Sequence, residues 1–285
     1  MSGSKLVPYV QAAPLAIIMF TMVGIPLITV LVISFWDSDG ISLYPMFRWE
    51  NYTEILSRGL VYDLFLKTFI YAAITLVLTI LIGFTCSYFL VFHVKNLKWQ
   101  IALLLLCTVP FWTSNIIRMV SWIPFLGREG LFNSTLIQMG LIDAPLDFLL
   151  YSDFAVILTY VHLFALFMLV PIFNSMAKIN PNLIEAAQDA GAGSWMILRD
   201  IIIPLSRTGI ALGSIFVLTL VMGDFFVVRV MSGGQSASVV SAMKNNIDQL
   251  YYPQASAMAI MLIAVVLLIV AAILRVVDIR SELAK

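Results

Sequence analysis

Six long apolar runs, separated by polar stretches, organise this 285-residue chain. A helix that crosses the hydrocarbon core needs about 20 mainly apolar residues, and six segments reach that length. The first lies near Ala12–Phe35, inside a charge-free run between Lys5 and Asp37, and the second near Thr68–Phe92, between Lys67 and His93. The third starts after Lys98 and passes Pro110 toward Ile123, with Arg118 near its far end. The fourth, near Phe154–Ala177, contains His162 and Pro171; the fifth lies near Arg207–Val228 and the sixth near Ala255–Leu274. The pattern predicts an all-α polytopic membrane protein with six transmembrane helices. The first apolar run is longer than a signal h-region of about 7–15 residues and no A-x-A-like site follows it, so it is expected to be a retained span.

Composition agrees. Hydrophobic residues make up 61% of the chain and charged residues 11%, against roughly 25% charged in soluble domains. The formal net charge of zero implies no nucleic-acid partner; membrane lipid is the expected surrounding. Cys86 and Cys107 both fall within apolar runs, which favours small buried side chains over a disulfide or a metal site.

Alternation of the spans places nine basic residues on one side: Lys5, Lys95, Lys98, Lys178, Arg199, Arg207, Arg275, Arg280 and Lys285. With five acids there, that side carries +4 and the other −4. The positive-inside rule then predicts that both termini are cytoplasmic. The two outer loops, near Trp36–Lys67 and Pro124–Asp153, contain "RWENYTEIL" and "GLFNSTLIQMG", whose helical spacing predicts short surface helices. The sequons at Asn51 and Asn133 match a pattern common by chance.

One stretch departs from the apolar theme: "EAAQDAGAGSWMILRDIIIPLS", Glu185 to Ser206. Asn180 before Pro181 reads as an N-cap and first helical residue, and Leu183–Ala190 suits a short helix. Gly191-Ala192-Gly193 can end it in the left-handed conformation. Ser194 can cap a second helix, and Pro204 predicts a bend into the fifth span. The expected product is a helix, a sharp turn and a second helix projecting from the membrane.

This loop resembles the EAA motif of the type I, binding-protein-dependent permeases of ABC importers. The matching positions are Glu185-Ala186-Ala187, Gly191, Ile201, Ile203 and Pro204, with Ile203 standing where leucine is usual. "VPFWTSNIIRMVSWIPFLGREGLFN" and "VMGDFFVVRVMSGGQS" are similar to the spermidine/putrescine branch, in particular its first permease subunit. The resemblance implies a type I permease core over residues 68–277, following a tail and first helix at 1–35 and a periplasmic loop at 36–67. A cytoplasmic tail at 278–285 would complete the chain.

It further implies that the 178–206 loop is a coupling helix held by a dimeric ATP-binding cassette ATPase. Glu185, Ala186, Ala187, Asp189, Gly191, Ile201 and Pro204 would be the coupling residues. Further partners would be a homologous second permease, in a heterodimer or less simply a homodimer, and a periplasmic binding protein. ATP and Mg would bind the ATPase and no cofactor this chain. The expected cargo is a polyamine or related small cation; relatives in the branch also carry opines, phosphonates, thiamine or ferric iron.

Ionisable groups in or near spans are functional candidates. Asp224 and Arg118 each fall roughly 12 Å outward of their span's midpoint at about 1.5 Å per residue. Two readings are open: a structural ion pair of Asp224 with Arg118 or Arg229, or an Asp224 that lines a path for a cationic substrate. Trp112 and Phe225, with Phe111 and Trp122, are expected as interfacial anchors or cation–π contacts. His162 is expected to be an interhelical hydrogen-bonding residue, and Gly233-Gly234 a turn. No G-x-x-x-x-G-K-[ST], H-E-x-x-H, C-x-x-C or G-x-S-x-G occurs, so neither a P-loop nor an enzyme of those types is expected. A secondary transporter would need ion-coupling charges near the midplane, where no acid sits.

Overall fold

The computed structural model describes residues 7–277. Lys5 and the 278–285 tail, with the charges they bring to the orientation argument, lie outside the described residues. The chain forms two compact units: Met1–Asp63 with Ala242–Val265, and Leu64–Ser241 with Val266–Lys285.

In the first unit, α1 (Gln11–Ile33) is long and apolar enough to cross a membrane, and none of it is buried inside the chain. A short antiparallel ribbon follows, β1 (Asp37–Ser38) against β2 (Leu43–Tyr44). The apolar periodicity gave no sign of this ribbon, because Asp39 and Gly40 build it locally. Gly40 turns at φ +83°, and the Asp39 carboxylate accepts the N–H groups of Ile41 and Ser42 at 2.9 and 2.7 Å. Helix α2 (Glu50–Ser57) is the first expected loop helix. Both sequon asparagines are fully buried: Asn51 Nδ2 donates to the carbonyls of Ser34 and Trp36, and Asn133 Nδ2 to those of Gly127 and Leu146.

The second unit is built around three helices. Helix α3 (Gly59–His93) buries a narrow stripe that includes Thr68, Tyr71, Ala72, Thr75, Thr79 and Ser87. Small and hydroxyl-bearing residues of this kind let helices approach closely where lipid supplies no hydrophobic drive. The third predicted span is not one straight helix. It is α4 (Leu97–Trp112) followed by α5 (Asn115–Gln138), a run of shorter helical turns, and the two are bent by 92°. Pro110 sits in the tight last turn of α4, and Thr113 and Ser114 beyond it are extended. The expected outer-loop helix is the last turn of this run, Leu131–Gln138.

Helix α6 (Asp153–Met176) is central, with buried residues that include Val156, Tyr160, Leu163, Phe164 and Met168. After the projecting α7 (Pro181–Asp189) comes α8 (Ser194–Met222), whose packing on α6 is the most extensive in the chain. A Cβ on Gly209 would lie 2.4 Å from the Pro171 carbonyl, and one on Gly213 2.6 Å from Met168 Sδ. From the other side, a Cβ on Gly83 of α3 would lie 2.9 Å from Met168 Cγ.

Pro204, where a bend is expected, does not interrupt the helix. A π turn at Leu198–Ile202 precedes the proline, and the wider turn gives the ring the room that an α turn would deny it. The helix therefore continues through the proline without a break. Helix α9 (Phe226–Met231) follows, then a turn at Gly233 and Gly234, at φ +60° and +79°. Helices α10 (Val239–Asp248) and α11 (Tyr252–Val276) complete the chain. Cys86 and Cys107 are free thiols, half-buried rather than buried.

Candidate functional site

The projecting loop begins where the sequence predicts. Asn180 caps α7, its side chain accepting the N–H of Asn182 at 3.0 Å, with Pro181 in the first turn. At the other end the Ala192 N–H bonds the Ala187 carbonyl and the Gly191 N–H that of Gln188, each at 2.9 Å. This is the Schellman closure, which needs a left-handed residue after the helix; Gly191 supplies it at φ +84°. Ser194 is the first residue of the next helix rather than its cap, a position held by the extended Gly193.

Anchoring comes from the apolar edge. Ile184 lines two hollows. One, of about 330 Å³, is shared with Val91, Phe92, Gln100 and Glu185. The other, of about 260 Å³, is shared with Tyr88, His93, Gln188 and Ile197. Ile197 and Ile202 are buried and anchor the start of α8. The rest of the projection is open: Glu185, at the rim of the first hollow, is exposed, as are Ala186, Asp189 and Pro204, with Ala187 and Ile201 half-buried. Leu183 and Met196 are also exposed, and Trp195 is 71% accessible. A polar projection held rigid at its base thus presents large apolar side chains and two carboxylates at its rim.

A second cluster joins α3, α6 and the segment after α8. The Asp224 carboxylate accepts the Val227 N–H at 2.8 Å and the Tyr160 hydroxyl at 3.2 Å. Ser238 Oγ donates to the Asp224 carbonyl at 3.3 Å. Nearby on the same helices, Tyr71 donates to Asp153 at 2.5 Å and shares a 2.6 Å bond with Ser236. Lys67 Nζ stands 3.5 Å from the same Asp153 oxygen, and the Val239 N–H donates to Thr68 Oγ1.

The ion pair expected for Asp224 does not form. Arg229 is exposed, and neither it nor Arg118 lies within pairing distance of an acid among the described residues. For Arg118 the reason is geometric. Its segment of α5 packs on α6 through Trp122, whose indole N–H donates to His162 Nδ1 at 3.0 Å. Tyr160, which holds Asp224, and His162 are two residues apart on α6, or roughly 200° around the helix. Arg118 and Asp224 therefore address different faces of α6.

Arg118 is 5% exposed and donates through Nη2 to Asn115 Oδ1, while its other guanidinium nitrogens have no protein partner. His162 is the interhelical hydrogen-bonding residue expected of it. Trp112 is highly exposed at the bend, and Phe225 is half-buried.

Sequence reasoning missed Tyr160, Tyr71 and Ser236, whose partners are 64, 82 and 165 residues away, beyond any local pattern. It also missed Gly209 and Gly213, although "GIALG" is a small-xxx-small signal that could have found them.

A helical array of membrane-crossing length with such a projection has the build of a transport permease, and the comparisons agree. No family profile matches the chain. The chain is 32% identical over 222 residues to the spermidine/putrescine transport system permease protein PotB of Haemophilus influenzae, covering 78% of this chain and 76% of that protein. It is 32% identical over 225 residues to PotB of Escherichia coli K12, covering 78% and 80%.

Among solved structures, the fold matches a chain of the bacterial alginate ABC transporter, crystallised with an alginate pentasaccharide-bound periplasmic protein. The TM-score is 0.76 at 17% identity, over 94% of this chain and 92% of that one. The architecture is that of ABC importer permeases. The chain belongs to the PotB-type family of these permeases; it is a multi-pass inner-membrane permease subunit of an ABC importer.

Proposed function

We propose that this permease crosses the membrane six times with both termini in the cytoplasm, and that it forms half of an import path for a polyamine or related small cation. A homologous second permease supplies the other half, as a heterodimer. The outer loops at 36–67 and 124–153 receive a periplasmic binding protein. Residues 178–206 seat in a dimeric ATPase that binds ATP and Mg, and this chain performs no chemistry itself. Binding of ATP draws the ATPases together, and the seated helix passes that movement to the spans.

The observation that carries this reading is the rim of the projection. Leu183, Trp195 and Met196 are exposed beside Glu185 and Asp189 on a loop fixed by caps at both ends, which is what a docking element requires. For the cargo, support comes from the PotB relatives and from Asp224. This acid is held by a hydroxyl and an N–H and pairs with no cation among the described residues, which leaves its charge for an ammonium group.

The test uses Glu185→Ala, Gly191→Val and Gly191→Asn. A Cβ at Gly191 meets nothing within 4 Å, so the valine acts only through its backbone, at a left-handed cost of roughly 1–2 kcal/mol. Asparagine tolerates that conformation. Glu185→Ala and Gly191→Val should lower ATPase co-purification and ATP-driven uptake with membrane insertion unchanged, and Gly191→Asn should retain most activity. Unchanged uptake in both of the first two variants would refute the coupling role.

A further inference from the structure

The first unit carries an aromatic cluster, within the first outer loop, to which the import reading gives no role of its own. Phe35, two residues past the end of α1, stacks on Phe47 with ring centroids 4.8 Å apart and on Trp49 at 5.8 Å. Tyr52 closes the group, 5.4 Å from Phe35 and 5.2 Å from Trp49, with its hydroxyl 2.6 Å from Ser34 Oγ. The Arg48 N–H donates to the Phe35 carbonyl at 2.7 Å. The segment after the β ribbon thus folds back against the end of the span.

That contact fixes a depth. Helix α1 has 23 residues, or about 35 Å at 1.5 Å per residue, against a hydrocarbon core of about 30 Å. An α1 centred on the core ends in the headgroup layer, and Phe47 and Trp49 share that level because they stack on Phe35. Their outer surfaces are open, with Phe47 79% and Trp49 56% accessible, beside exposed Met46. The one cation in the segment is already neutralised: Arg48 pairs with Asp37 and with Glu54. An amphipathic indole beside an apolar ring, without a free charge, suits the layer where tryptophan and tyrosine gather.

We propose that residues 46–49 form an interfacial anchor, with Met46, Phe47 and Trp49 set in the lipid headgroup and upper acyl region of the leaflet where α1 ends. The anchor fixes the depth and tilt of α1 and ties the first outer loop to the membrane surface. Its occupant is lipid, because the patch is apolar and without an unpaired charge and stacks on the end of a helix of membrane-crossing length.

The test labels Met46→Cys and, separately, Phe47→Cys with a nitroxide in a Cys86→Ala/Cys107→Ala background. The full chain is assembled with its importer subunits in phospholipid nanodiscs, and Arg128→Cys serves as the aqueous reference. The Met46 label leaves the aromatic stack intact if loss of Phe47 disturbs it. Collisions with oxygen should exceed those with a water-soluble nickel chelate at both positions, with the reverse order at Arg128. Free access to the nickel chelate would make the patch a solvated surface, and low access to both reagents would make it a protein interface. Either result overturns the anchor.

Discussion

At the residue scale, the closeness of α6 and α8 rests on two glycines that differ in what they face. The Cβ of Gly209→Ala would meet a backbone carbonyl, that of Pro171, whereas the Cβ of Gly213→Ala meets first the thioether of Met168. A thioether can swing aside and a helix carbonyl cannot. Gly209→Ala should therefore cost about 1–3 kcal/mol and Gly213→Ala distinctly less, as measured by unfolding in detergent; equal costs would show that the crossing yields as a whole. Asp224 offers a second test. Asp224→Asn keeps an oxygen for the Val227 N–H but removes the charge. If that charge meets a cationic cargo, apparent KM for spermidine should rise about tenfold or more, given ~1.5–3 kcal/mol for a hydrogen bond to a charged group, with the maximal rate less affected. Wild-type kinetics would leave Asp224 as a clasp between α8 and α9.

At the element scale, what could be foreseen was what local chemistry dictates. The N-cap at Asn180, the left-handed Gly191 and the loop helix at Leu131–Gln138 depend on neighbours within a few residues, and the structure has all three. Where expectation failed, a second element or an irregular turn decided. Pro204 reads as a bend only if the helix before it is regular, and the π turn at Leu198–Ile202 removes that premise. The Arg118–Asp224 pair looked sound from depth alone, but depth along a span does not reveal which face of α6 each group meets. The β ribbon was invisible because two residues per strand are too few to show an alternation.

At the scale of the whole molecule, the sidedness of the chain turns on the bent pair. Helix α4 has 16 residues, or about 24 Å of rise, and falls short of a hydrocarbon core of about 30 Å. The extended Thr113 and Ser114 add about 3.3 Å each, enough for a crossing when they continue the axis of α4, and α5 then turns away by 92°. The six-span reading requires the pair to cross once, with Lys95 and Arg128 on opposite sides. Single cysteines at Lys95, Arg128 and Asn182, in a Cys86→Ala/Cys107→Ala background, test this with a membrane-impermeant maleimide on spheroplasts. Arg128→Cys should react in intact spheroplasts, and Lys95→Cys and Asn182→Cys only after permeabilisation. If Arg128→Cys instead behaves like Lys95→Cys, the pair is a re-entrant loop. The chain would then cross five times, its termini would face opposite sides, and the nine basic residues could not share one surface.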